Sequence, residues 1–567
     1  MLVLGMSLAL LALLPVIPIS HFIPIASAHA VLVRSDPAAH AMLQIPPSQV
    51  PLWFDDDLVP ATSHVTVQDA ASQVVDHRDS HVSRSDAHEM IVTLTRLRPG
   101  TYTVIWVAQS TDDGHVTEGS FIFRIAGSGG TVPSAPRSGT NIPRSVILDG
   151  PTIVQTLATW LALLFLTYWA GGLIWETWVL TPGTPRDPDL AAAATMAARR
   201  FRRLVPYMLG LMLVADGGIV LGQGAELAGG WSGAFAPSLL QAILFGSRFG
   251  LFWWMRQGVV LAGLGLTLLA NWRGWSMWHV GSQAPTRVPA IDTEPRAIPV
   301  WWCAVLKTLR GIPRLPAQLL AGWRRRSWLG RIELLLGAAL LGAFALSGHA
   351  AAVPTPELGY SLSVDLLHLL GNAVWAGGLL YIGFVIVPVL SRLSIRQHAR
   401  VLALGLPAFS VLATVSVVVL AATGSLNATI RLTSWQQFLT TPYGWILVVK
   451  IEFFLLMVLL SVYHAFYLRP RLAQALTSSE EVVVGTPGQA LVGVGHASAA
   501  RTAQATNNAP CTDDVAGDRD EEAVSERAQH LAERLEGWLR REAMLGVAVL
   551  FCVALLGAFA GTLAPPL

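Results

Sequence analysis

Tyr102-Thr103-Val104-Ile105-Trp106-Val107 and Phe121-Ile122-Phe123-Arg124-Ile125 decide the fold of the N-terminal part of this chain. Both runs alternate with period two, the pattern of a strand with one face on a core. Asp112-Asp113-Gly114 lies between them and supplies turn chemistry. The two runs are therefore expected to pair, with the 113–115 loop presented at a strand end. Further runs surround them: Val31–Val33, Val50–Phe54, Val65–Gln68 and Met90–Leu94. Turn-rich pieces (Asp36-Pro37, Pro46-Pro47, Arg98-Pro99-Gly100) separate these. About seven strands in roughly 100 residues predict an all-β, Ig-like sandwich over residues 29–126.

Toward the N-terminus, residues 1–28 are apolar and end in Ala26-Ser27-Ala28, the small-x-small pattern of signal-peptide cleavage. No Lys or Arg precedes the apolar stretch, a departure from the usual pattern. Cleavage after Ala28 makes His29 the first residue, with an α-amine and an imidazole that can chelate one metal ion. Asp113 and His115 add a carboxylate and a second imidazole. This mixed N/O set is one that Cu(II) favours in tetragonal geometry. The alternative is a cut elsewhere, with His29 an ordinary exposed residue; the ligand types alone leave both open. The cysteines, Cys303, Cys511 and Cys552, all lie beyond residue 150, so the sandwich has neither a disulfide framework nor a thiolate site.

Toward the C-terminus, Gly/Ser/Pro-rich residues 127–150 read as a flexible linker. The rest has a membrane-protein composition: the chain is 53% hydrophobic and only 13% charged, with 20 Trp. Its net charge of +2 suggests no nucleic-acid partner, so the lipid bilayer is the expected macroscopic one. Eight apolar segments, near 152–180, 204–223, 250–271, 331–348, 362–390, 401–423, 443–468 and 543–563, are each long enough to cross a bilayer as a helix. Arg199, Arg200, Arg202 and Arg203 follow the first span, Arg324–Arg326 precede the fourth, and Arg392, Arg396 and Arg400 follow the fifth. The alternate loops are nearly free of Lys and Arg. The positive-inside rule therefore makes this a multi-pass plasma-membrane protein with an extracytoplasmic sandwich. The expected organisation is a membrane domain over 151–470, containing a basic, Trp-rich cytoplasmic loop at 272–330 that lies on the membrane surface. A partly disordered loop at 471–542 ends in an amphipathic helix, and the last span lies within 543–567.

Ionisable residues within spans are functional candidates by default. His349 ends the fourth span, and Asp365 and His368 share one face of the fifth, three residues apart. Together they form a second candidate metal set near the outer mouth. The alternative is an interfacial His349 and a His368 bonded to a neighbouring carbonyl. Asp216 and Glu226 are candidates to line an approach path. Glu176 is expected at the interface. His464 is either an exit ligand or an interfacial residue. Trp375 with Gly377-Gly378 predicts close helix packing.

These residues carry a resemblance. His29, Ser35-Asp36-Pro37, Leu52-Trp53-Phe54, and Ser110-Thr111-Asp112-Asp113-Gly114-His115 leading to Gly119-Ser120-Phe121-Ile122-Phe123 resemble the CopC family of copper-binding β-sandwiches. Gly348-His349-Ala350, Asp365-Leu366-Leu367-His368, Trp375-Ala376-Gly377-Gly378, Phe409-Ser410, Thr423-Gly424-Ser425-Leu426-Asn427 and Thr441-Pro442-Tyr443-Gly444 resemble the CopD family. The order matches fused CopC–CopD copper resistance and transport proteins. The resemblance implies Cu(II) ligation by His29, Asp113 and His115, and copper movement through the membrane block, inward. Only Met42 and Met90 lie in the sandwich, so no Met-rich Cu(I) site is expected. No catalytic motif occurs, so the protein is expected not to be an enzyme. Two other readings stand beside copper import: a haem electron carrier using histidines on adjacent helices, and copper sequestration without transport.

Overall fold

A computed structural model describes residues 30, 32–111, 116–126, 149–180, 188–274, 310–347, 358–432, 434–484 and 513–559. The N-terminal part is a sandwich of two four-stranded sheets. Its strands are β1 (Leu32–Ser35), β2 (Met42–Leu43), β3 (Gln49–Phe54), β4 (His64–Asp69), β5 (His81–Val82), β6 (Glu89–Thr93), β7 (Gly100–Gln109) and β8 (Val116–Ile125). One sheet has the order β1-β3-β6-β5 and the other β2-β8-β7-β4. The two runs that open the sequence argument pair in register, Tyr102 opposite Phe123 and Gln109 opposite Val116. Alternation sends Tyr102, Val104, Trp106, Phe121, Phe123 and Ile125 into the core, where they meet Val50, Leu52, Met90 and Val92 of the facing sheet. One pairing departs from the antiparallel expectation. Met42 and Leu43 run parallel to Arg124 and Ile125. A two-residue strand has too little periodicity to announce itself in sequence.

The remainder is helical. Its elements are α1 (Gly150–Trp178), α2 (Pro188–Leu227), α3 (Pro237–Phe245), α4 (Arg248–Arg273), α5 (Leu315–Arg325), α6 (Trp328–Leu346) and α7 (Leu358–Tyr381). A π-helical turn (Ile382–Ile386) continues α7 into α8 (Val387–Leu390). Then come α9 (Ile395–Arg431), α10 (Gln437–Thr440) and α11 (Pro442–Tyr463), a second π-helical turn (His464–Leu468), α12 (Arg469–Val484) and α13 (Asp513–Ala558). Among the described residues, eight helices are long and apolar enough to cross a membrane. This is a multi-pass membrane protein.

The first and fifth spans form the centre of the bundle, 67% and 78% buried, while the seventh is only 17% buried and sits at the rim. The central pair crosses at Gly171 and Gly377, where a Cβ on either would run into the other helix's backbone. Of the glycine pair read in the sequence as a close-packing signal, Gly377 does that work against α1 and Gly378 against Phe409 of α9. Trp175, Tyr381 and Phe409 then stack beside the crossing.

The amphipathic helix read before the last span is the first half of α13, and Ala528, Ala532, Leu535 and Leu539 bury its apolar stripe in the core cluster that also holds Leu472 and Ala475 of α12. One sequence expectation changes here: the 272–330 segment is not wholly superficial. Its described part includes α5, held by Trp178 Nε1 donating to Leu319 O at 2.9 Å. It then delivers Arg326 into the bundle, where no part of the residue is exposed.

Candidate metal centre

His29 and the 112–115 loop, with Asp113 and His115, lie outside the described residues. Their flanks are described, and these meet. Ala30, one residue past His29, is fully buried, and its carbonyl accepts from Thr117 Oγ1 at 2.5 Å. Thr117 is two residues past His115. This contact joins Ala30 to β8 at one corner of the sandwich. The other side of the loop is equally fixed. Ser110 Oγ donates to buried Asp56, Thr111 N donates to Asp57 O at 2.9 Å, and Val59 N donates to Gln109 O at 2.9 Å. Thr117 and Asp56 were not singled out from sequence, because nothing local marks a side chain that bonds a residue tens of positions away. Three other histidines of the sandwich have partners of their own: His64 faces Thr62 O, His81 faces Asp79 O, and His88 lies 3.3 Å from Asp57.

In the bundle, His349 lies outside the described residues. Asp365 and His368 stand on α7, three residues apart. Among the described residues, His368 meets a hydroxyl. Its Nδ1 lies 2.9 Å from Thr423 Oγ1 on α9. Gly424 packs beside the ring, where a Cβ would come 3.4 Å from His368 Cε1. Among the described residues, no group of three or more His, Cys, Asp or Glu side chains is gathered to hold a metal ion.

The other intramembrane charges resolve into networks. Asp216 is fully buried on α2; Arg256 of α4 pairs with it and Gln257 Nε2 donates to it at 2.8 Å. Arg256 Nη1 also donates to Ser347 Oγ at 3.3 Å, two residues before His349. Asp216 is thus an interhelical anchor rather than the lining of a path. Glu226 accepts from Thr152 Oγ1 of α1 at 3.3 Å. Glu176 is buried, not interfacial. It lies 3.8 Å from Arg326, which also faces Glu333 at 3.8 Å and donates to Thr177 Oγ1 at 2.9 Å. His464 is neither free nor merely interfacial: its Nε2 is 2.6 Å from Glu542, a fully buried carboxylate that also accepts from Ser461. Burying an ion without a partner costs several kcal/mol, so each of these charges carries its partner with it.

A two-sheet sandwich followed by a bundle with eight candidate spans among the described residues defines a multi-pass membrane protein that carries an N-terminal β-sandwich domain. This chain belongs to the fused CopC–CopD copper resistance family. The CopC domain model matches residues 32–126, the model of the copper resistance protein D-like N-terminal domain matches 149–285, and that of copper resistance protein D matches 404–503. Copper transport protein CutJ of Bacillus subtilis (strain 168) is 25% identical over 450 residues, 78% of this chain and 69% of that protein. Protein YobA of Escherichia coli (strain K12) is 31% identical over 99 residues, 17% of this chain and 79% of that one. The crystal structure of CopC from Methylosinus trichosporium OB3b aligns at 27% identity, covering 17% of this chain and 93% of that one, with a TM-score of 0.16.

Proposed function

We propose that this protein captures Cu(II) outside the cell membrane with His29, Asp113 and His115, and passes copper inward through a set comprising His349, Asp365 and His368. The observation that carries the reading is the bond from Thr117 Oγ1 to Ala30 O, which ties together the segments on which those Cu(II) ligands stand. Two nitrogens from one terminal residue, a second imidazole and a carboxylate complete a tetragonal N/O set. The Arg-rich segments on alternate sides of the spans support an extracytoplasmic sandwich. The similarity to a copper transport protein over most of the chain supports movement of the ion rather than storage. The division into a leader (1–28), a copper-binding sandwich (29–126), a linker (127–150), a seven-span block (151–470), a cytoplasmic segment (471–542) and a last span (543–567) belongs to the same proposal.

The test has three parts. N-terminal sequencing of the purified protein is expected to begin at His29. Electron paramagnetic resonance of the Cu(II)-loaded protein is expected to show mixed nitrogen and oxygen ligation that His115→Ala loses. Cells expressing His349→Ala or His368→Ala are expected to hold less copper than wild type while the Cu(II) signal persists. A mature chain beginning elsewhere overturns the capture site. A deletion strain with more cellular copper than the parent overturns import.

A further inference from the structure

Val107 of β7 and Val116 of β8 lie on the face of their sheet that the sandwich cannot bury. Alternation commits Val104, Trp106 and Ala108 to the core, so Val107 points the other way. In the ladder Val107 stands opposite Glu118 and Gln109 opposite Val116, which makes the two valines diagonal neighbours on the outward face. The rest of that face includes Thr101, Thr103 and Ser120 on the same two strands. The valines are nevertheless partly buried, and what covers them is the membrane bundle. They pack against an apolar cluster of Ala158 and Ala162 from α1, Ile219 and Leu227 from α2, Ile243 from α3 and Phe249 from α4. β8 and α2 are in direct contact.

We infer that Val107 and Val116 are positioning residues that dock the loop end of the sandwich on the bundle, and that copper leaves the sandwich in this docked state. The occupant of the valine patch is this chain's own α2–α3 corner. The second clause rests on the import reading above; the first does not. Three observations converge on it. The two valines are partly buried against the bundle, whereas Ile105 on the same face is 36% exposed. It borders the segment that carries Asp113 and His115, at the two strand ends flanking that loop. The bundle surface meeting it is built of small and branched apolar residues. Among the described residues the apolar contact is small beside the roughly 20–30 residues per side of a stable interface, and the covalent connection between sandwich and bundle favours it by raising the effective concentration. Such a contact can form and release, as repeated loading and delivery require.

The experiment uses the full chain in lipid vesicles. Single cysteines replacing Val107 or Val116 are labelled with a membrane-impermeant maleimide, and Ile105→Cys, on the same outward face and 36% exposed, sets the reference rate. Docking predicts labelling at 107 and 116 about ten-fold slower than at 105. Equal rates overturn it. The Val107→Ser/Val116→Ser double variant then tests delivery. Its Cu(II) resonance spectrum is expected to match wild type, showing an intact sandwich, while copper accumulation falls about ten-fold; Val107→Ile/Val116→Ile is expected to retain accumulation. Undiminished accumulation by the serine variant overturns the role in delivery, as does an altered Cu(II) spectrum, since the valines then act within the metal site. Wild-type protein that accumulates no copper overturns the import reading and the delivery clause together, while the labelling rates still decide docking.

Discussion

The hydroxyl of Thr423 sits between His368 Nδ1, at 2.9 Å, and the carbonyl of Val419, at 2.7 Å. A carbonyl can only accept, so the Thr423 proton goes to Val419 and His368 donates through Nδ1. In the neutral ring that leaves the lone pair on Nε2, the arrangement in which an imidazole can ligate a metal. A hydrogen bond of this kind fixes both ring orientation and tautomer of a ligating histidine, and its loss typically costs about 10–100-fold in affinity or activity.

Thr423→Val, which keeps the shape and removes the acceptor, is therefore expected to lower cellular copper accumulation by about 10–100-fold. Thr423→Ser keeps a hydroxyl and is expected to restore it. The Cu(II) resonance of the sandwich serves as an internal control and is expected not to change. Wild-type accumulation by Thr423→Val would remove Thr423 from any part in handling the ion.

Asp216 and Arg256 join the second and third spans in a fully buried pair. Removing one member leaves the other uncompensated, a loss of about 3–5 kcal/mol in buried pairs, whereas replacing both with apolar groups of similar volume is often neutral. Asp216→Leu and Arg256→Met are each expected to lower the thermal midpoint in detergent strongly, and the double variant to recover most of the loss. If the double variant is as unstable as the worse single one, the pair has a role beyond mutual neutralisation.

Gly119 lies under the indole of Trp106, and a Cβ there would come within 2.6 Å of Trp106 Cζ2. Trp106 is held edge-on to Phe54, with ring centroids 5.3 Å apart, in the middle of the sandwich core. Overpacking of this kind costs about 1–3 kcal/mol. Gly119→Ala is expected to lower the sandwich's unfolding free energy by that amount and so to move its urea midpoint down, read from tryptophan fluorescence. An unchanged midpoint would mean that the ring has room to yield.

Asp79 accepts the Thr93 hydroxyl at 2.6 Å and the Thr93 N–H at 3.0 Å. These bonds, the hydroxyl's above all, hold its carboxyl below the usual aspartate value of 3.8. A depressed folded value stabilises the sandwich above the unfolded value and loses that stabilisation as pH falls through the folded one. Because the site is exposed, the effect is small. Thr93→Val is expected to flatten the pH dependence of sandwich unfolding below about pH 4 and to leave it unchanged near pH 7. A dependence identical to wild type across the acid range would dismiss the contribution.

Much of the architecture was legible because it rests on local periodicity. Tyr102, Val104 and Trp106 announced their buried face by alternation, and the apolar segments announced the spans by length. Gly377 announced a helix crossing because only glycine tolerates a backbone that close. The charged networks were illegible for the opposite reason. Glu176 reads like any carboxylate at a helix end until Arg326, 150 positions later, arrives beside it. His464 reads as interfacial until α13 brings Glu542 against it.

The sequence alone determined the elements, their core faces and the kinds of ligand available, because these follow from side-chain chemistry repeated at fixed short spacings. Tertiary structure decided which charges neutralise one another, which nitrogen of His368 bonds Thr423, and that Val107 and Val116 meet the membrane bundle. Each of these depends on contacts between residues far apart in the chain, and the free energy that selects them appears only when the elements pack and water is excluded between them.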